Sequence, residues 1–270
     1  MKKCILCVQS FKGGTGKTVI AANFAHHIAS KGRNKTLLID ADLTAPSVDK
    51  ILVPRSSLDQ LVTWTTFLDG KVDSIEEAIY ETKHSNLDVI YSPPPEIGKT
   101  FLTERGVDWW GNALRKSIKA RETLLFDLGY DWIVFDNQNG VSMNSANNLI
   151  VSDVSVLVVR PVIYGLDGTL HLIRELYGTF REMKKRSDYI LWNQVPLGGS
   201  EEKDSFVFQL IDEWDEEFRK LAIPSLGRVP YQADLSISML KLGAGIFEEP
   251  HPFKMQIHEM FDRIVADLAD

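Results

Sequence analysis

The chain has 270 residues, 44% hydrophobic and 25% charged, with 18 Gly and 11 Pro, a balance that excludes the disordered, collagenous and coiled-coil classes. Thirty Lys plus Arg against 37 Asp plus Glu give a net charge of −7, which argues against a surface that coats nucleic acid throughout but leaves room for a local basic patch. The two cysteines, Cys4 and Cys7, exclude a disulfide scaffold and favour a reducing, cytoplasmic setting.

In chain order, Met1-Lys2-Lys3 leads into an apolar run that ends at Gln9 and Ser10 without the small-residue cleavage site of an export signal. Residues 4–10 read as a buried strand, and three-residue spacing puts Cys4 and Cys7 on opposite faces, as buried hydrophobes rather than a metal pair. A helix follows over 17–30, and a strand over 36–42. Residues 53–81 and 92–111, the latter containing Pro93-Pro94-Pro95, read as helical or loop-like insertions around a strand at 87–91. Strands at 132–136, 154–162 and 189–195 then alternate with helices at 114–125, 169–185 and 204–221. Residues 240–245 close a short helix, and 252–268 form a last one with an apolar stripe. This order predicts a single α/β domain over 1–270, with a mostly parallel central sheet covered by helices on both faces. No apolar run approaches the ~20 residues of a membrane span.

The strongest motif is Lys12-Gly13-Gly14-Thr15-Gly16-Lys17-Thr18, between the first strand and the first helix. Glycines let backbone amides converge on phosphate oxygens, and the helix N-terminus adds unpaired amides and a positive dipole end. Lys17 is positioned for the β and γ phosphates of a nucleotide and Thr18 for Mg²⁺. Two further apolar strands end in carboxylates, at Asp40-Ala41-Asp42 and at Asp136, where parallel sheets place their ligand chemistry.

The usual phosphate-loop pattern wants Gly where Phe11 stands, and Lys12 replaces a neutral residue. This Lys-Gly-Gly-x-Gly-Lys-Thr form resembles the deviant Walker A loop of the ParA/MinD family of P-loop ATPases. The resemblance implies a P-loop NTPase fold that binds ATP with Mg²⁺, and an ATP-dependent homodimer in which Lys12 reaches the partner's phosphates. It implies that residues 13–19 contact nucleotide, although Val19 brings no hydroxyl to the α phosphate where the family often has a second Thr. Asp40 is then expected near the Mg²⁺ water shell, Asp42 at the attacking water, and Asp136 as the Walker B acid that supports the metal. The second switch here reads Asp136-Asn137-Gln138-Asn139-Gly140, without the family's prolines. Gly140 is expected to bring its amide to the γ phosphate, and Gln138 is a further candidate to position water. Asn193 resembles the family's base-recognising Asn, and Pro230, in Gly227-Arg228-Val229-Pro230, the segment that flanks the base.

Resemblance also implies slow hydrolysis and a role in partitioning or positioning DNA or a cellular complex. The alternatives are an ATP-gated adaptor, or an ATPase that delivers a metal or protein cargo. Binding of nonspecific DNA would use Arg115-Lys116, Lys119, Arg121 and Lys184-Lys185-Arg186. The final residues, 262–270, are acidic rather than basic, which disfavours a membrane-targeting tail.

Overall fold

The computed structural model describes residues 3–32, 34–246 and 251–268. Its strands are β1 (Cys4–Gln9), β2 (Thr36–Ala41), β3 (Tyr80–Glu81), β4 (Leu87–Ile90), β5 (Trp132–Asn137), β6 (Val154–Val159), β7 (Ser187–Val195) and β8 (Ser225–Pro230). They form one sheet in the order β3-β4-β2-β5-β1-β6-β7-β8. Every pairing is parallel except β3 with β4. The helices, in chain order, are α1 (Lys17–Ser30), α2 (Val48–Ile51), α3 (Trp64–Leu68), α4 (Pro95–Glu104), α5 (Val107–Glu122), α6 (Met143–Val151), α7 (Ile163–Leu172), α8 (Gly178–Met183), α9 (Glu201–Lys220), α10 (Ala233–Ser238) and α11 (Pro252–Asp267).

The central strands are buried along their whole length, because each lies under helices on both sides and must be apolar on both faces. Two separate cores result. One holds Ile5, Cys7, Ile39 and Phe135 against Trp110 of α5, Leu149 of α6 and Phe218 of α9. The other holds Cys4, Leu6, Leu38 and Val134 against Phe24 of α1 and Phe261 of α11. Cys4 and Cys7 thus sit in different cores, as the pleat requires, and burial pushes the Cys7 thiol up to about 12.

Several expectations change in the structure. β6 stops at Val159 rather than 162, since Pro161 has no amide to donate to a ladder. Residues 240–245 are turns; the short helix before them is α10, ending at Ser238. The stretch 53–107 contains α3, β3, β4 and α4, and β8 pairs with β7 at the sheet edge despite its Gly and Pro. The expected basic clusters are largely tied into the fold. Arg121 and Lys184 both pair with Asp153, at 2.9 and 3.0 Å. Arg186, its side chain 1% exposed, pairs with Asp188 at 2.9 Å. Lys116 donates to the Leu68 carbonyl and Arg115 to Asn112, whereas Lys119 and Lys185 are exposed. No helix among the described residues is long and apolar enough to cross a membrane. Of the acidic end, 262–268 are described and Ala269 and Asp270 lie outside the described residues, as do Met1 and Lys2 at the start.

Candidate active site

The loop between β1 and α1 turns on two glycines in the left-handed region, Gly14 (φ 76°) and Gly16 (φ 84°). Lys17 opens α1 and is almost wholly buried. Its Nζ lies 2.6 Å from Asp136 Oδ1 and 3.6 Å from Asp42 Oδ2. Register explains the meeting: Asp136 on β5 stands beside Val8 on β1 and beside Asp40 on β2, so the strand-end acids converge on the start of the helix that follows β1.

Burial alone would depress the Lys17 ammonium, but Asp136 and Asp42 outweigh it and hold its pKa above the ordinary value. Burial raises Asp136, against the opposing pull of Lys17. Asp40 is raised well above the usual carboxylate range, first by burial and then by the charge of Asp136. Three acids and one cation therefore share a dry site, an arrangement able to receive further positive charge.

The individual roles differ. Asp40 accepts backbone amides from Asp42 on one oxygen and from Ser47 and Val48 on the other, so it folds the loop into α2. Asp42 accepts the Thr44 amide and hydroxyl and the Ala45 amide on Oδ1, leaving Oδ2 toward Lys17. Asp136 Oδ2 is buried without a hydrogen-bond partner, and the neighbouring Thr18 hydroxyl lowers the pKa of that carboxylate. Thr18 Oγ1 also lies 3.0 Å from Ser47 Oγ. An ionised carboxylate oxygen and a hydroxyl, both hard donors, fit a hard divalent cation. No group of three or more His, Cys, Asp or Glu arranged to hold a metal occurs among the described residues.

Beside the loop lies a cavity of about 230 Å³ that brings together Gly16, Val19, Asn193 and Pro230 with Tyr231 and Phe253. Asn193 donates its amide to the Thr15 carbonyl at 2.7 Å, which commits one of its donors to the loop. Lys12 is exposed, with its ammonium 5.3 Å from the centre of the Phe11 ring. Gly13 and Gly14 are exposed next to it, and Thr15 is buried with its hydroxyl unpartnered.

Gly140 closes the 136–140 segment with φ 71°. Its amide is donated to the Ser10 carbonyl at 2.9 Å and its carbonyl accepts from Gln9, so it braces the entry to the phosphate loop. Ser10 Oγ also bonds Asn139 Oδ1 at 2.7 Å. Gln138 is buried, not solvated, and bonds Asn144. Sequence reasoning assigned no role to Gln9, Ser10, Ser47, Asn139 and Asn144; Gln9, Ser10 and Asn144 are buried and Ser47 and Asn139 half-buried, and such burial is invisible before folding.

A family model described as an AAA domain matches residues 3–191. The virulence plasmid ParA family protein pGP5-D of Chlamydia psittaci is 29% identical over 184 residues, 66% of this chain and 64% of that protein, so the match spans just under two thirds of the relative. Among solved structures, a Cyanothece McdA variant in complex with ATP superposes with a TM-score of 0.72 at 19% identity, covering 100% of this chain and 96% of that one. The septum site-determining protein MinD of Pyrococcus horikoshii, complexed with Mg-ADP, gives 0.68 at 20% identity, covering 100% and 99%. With the loop, the strand-end acids and the eight-stranded sheet, these matches establish that the chain belongs to the ParA/MinD family of P-loop ATPases.

Proposed function

We propose that this protein binds ATP with Mg²⁺ and hydrolyses it slowly as a nucleotide-gated homodimer, a switch that partitions or positions DNA or a cellular complex. The observation that carries the reading is Lys17, a buried cation held at 2.6 Å by Asp136 and 3.6 Å by Asp42 at the mouth of a glycine loop. A lysine in that position can exchange a carboxylate for the β and γ phosphate oxygens, while amides of residues 13–18 cradle the remaining oxygens. Thr18 and Asp136, with support from Asp40, are the residues that would hold Mg²⁺. When bound, the ion neutralises phosphate charge.

The chain's own groups do the rest. Asp42 Oδ2 orients the attacking water, and Asn193, Val19 and Pro230 receive the adenine, with the Asn193 carbonyl accepting from its amino group. Phosphoryl transfer depends on positioning and charge more than on covalent help, so hydrolysis stays slow until every donor is in place. Lys12, exposed and with its ammonium over the Phe11 ring, can extend to a partner's phosphates. ATP then binds dimer better than monomer, and linkage requires that it favour the dimer.

The test is the solution mass of Asp42→Ala by light scattering, with Mg-ATP, Mg-ADP and no nucleotide at equal protein concentration. Doubling with ATP alone supports the switch, and the same doubling in an Asp42→Ala/Lys12→Ala protein would remove Lys12 from the role. An unchanged mass in all three conditions sinks the homodimer reading.

A further inference from the structure

The last paired residues of β2 and β5 are Ala41 and Asn137, and Asp42 and Gln138 lie just beyond them. Past the final ladder pair nothing in the sheet fixes the spacing of two chains, and the 136–140 segment contains no proline to stiffen it. Helix α6 supplies what the ladder lacks. Asn144, 1% exposed, donates its side-chain amide to the Ala41 carbonyl at 2.8 Å and to Gln138 Oε1 at 3.4 Å. One turn on, Asn148 donates to Asn137 Oδ1 at 2.9 Å, and Asn137 in turn donates to the Ser145 carbonyl at 3.1 Å. The helix is itself fixed at its start by Ser142, whose hydroxyl accepts the Ser145 amide.

We infer that Asn144 is a positioning residue that ties the strand end bearing Asp42 to Gln138, setting the spacing of the groups that flank the attacking water. The inference rests on the ATPase reading of this site. A planar amide has two hydrogens on one nitrogen, so a single side chain can serve both acceptors and hold two otherwise independent segments in one geometry. All partners are buried, where such a bond cannot be replaced by water without opening the site. Asn147, on the same helix, donates its side-chain amide to the Trp110 carbonyl at 2.9 Å rather than to either segment, which makes it the internal control for loss of a buried bond from α6.

Steady-state hydrolysis, ATP affinity and amide hydrogen exchange should be compared for wild type, Asn144→Ala, the nearly isosteric Asn144→Asp and Asn147→Ala. In Asn144→Asp a carboxylate faces the Ala41 carbonyl and cannot donate to it. Both Asn144 variants should lower kcat roughly tenfold or more, with ATP affinity within about twofold of wild type. They should also speed exchange at the Thr44 and Ala45 amides, which Asp42 holds. Asn147→Ala should lower Tm while leaving kcat and those amides unmoved. Exchange unchanged in the Asn144 variants overturns the tie. So does an unchanged kcat, or an equal loss in Asn147→Ala. If wild type hydrolyses no ATP, the ATPase reading fails instead, and the exchange comparison alone then decides whether Asn144 joins the two segments.

Discussion

Asn193 donates its side-chain amide to the Thr15 carbonyl at 2.7 Å, so the end of β7 physically props the phosphate loop. The prop sets the size limit at Gly16, where an added Cβ would sit 2.4 Å from Asn193 Nδ2 in a backbone already at φ 84°. Gly16→Ala should therefore weaken ATP binding by at least about tenfold, through both the clash and left-handed strain of ~1–2 kcal/mol. In an Asn193→Ala background the clash disappears and only the strain remains. Isothermal titration of the double-mutant cycle should show Gly16→Ala costing less there than in wild type; equal costs would mean that the contact does not restrict the loop.

Lys17→Ala should abolish ATP binding and also unbalance the site. Asp136 loses the cation that opposes the effect of burial on its carboxylate, at a cost of ~3–5 kcal/mol near neutral pH. Asp136 is already raised by burial, and without Lys17 it rises further. A group whose folded pKa exceeds its unfolded one favours the folded state increasingly as pH falls. The deficit of the variant relative to wild type should therefore shrink as pH falls in chemical denaturation; a deficit independent of pH would show that Lys17 does not control the protonation of Asp136.

The seam between α1 and α11 should weaken in mild acid. The rings of His27 and His258 stack with centroids 3.8 Å apart. Burial, then the charge of His27 and of Lys254, lowers His258 to about 4, with Asp262 opposing and His26 adding slightly. Burial likewise lowers His27, against its bond to Asp262 and with Lys31 nearby. The unfolded histidines bind protons near pH 6.5 and the folded ones only at lower pH, so stability is complete above about pH 6.5 and is lost as pH falls toward 4. Allowing for solvent screening of the half-exposed ring, His258→Gln should remove about 1 kcal/mol of that acid-dependent loss. Tm measured from pH 7.5 to 4.5 decides it: parallel curves for variant and wild type would rule the stack out.

Asp188 accepts Arg181 and Arg186, each at 2.9 Å, and the Ser155 hydroxyl at 2.7 Å. Asp188→Ala strands the buried Arg186 guanidinium and should cost ~3–5 kcal/mol in urea denaturation. For the same reason Arg186→Ala should destabilise the fold without altering the salt dependence of any DNA binding, which for a phosphate-contacting residue would fall by about one unit of slope.

The sequence by itself determined the parts of this protein that depend on neighbours along the chain. The glycine loop after an apolar strand, the helix beginning at Lys17 and the strands closing in Asp40 and Asp136 were legible because local geometry demands those residues at those spacings. α1 spans 17–30 as expected for the same reason. Alternation of buried strands with amphipathic helices likewise sufficed for the mostly parallel sheet covered by helices on both faces. Short β3 and the Gly- and Pro-bearing β8 escaped because neighbouring strands, rather than their own composition, hold them in the sheet.

Only the tertiary structure decided which groups meet. Lys17 and Asp136 are separated by 119 positions and joined by strand order. Asn193 reaches the loop across 178, and Asn144 reaches Ala41 across 103. Charge in the sequence could not distinguish a solvated Arg121 or Arg186 from one committed to Asp153 or Asp188, because that depends on which carboxylate the fold brings within reach. Polar residues such as Ser10, Gln138 and Asn144 show no partner along the chain, and only packing removes water from them. Once dry, each must find a partner, and those partnerships connect the loop, the strand ends and α6 into one site.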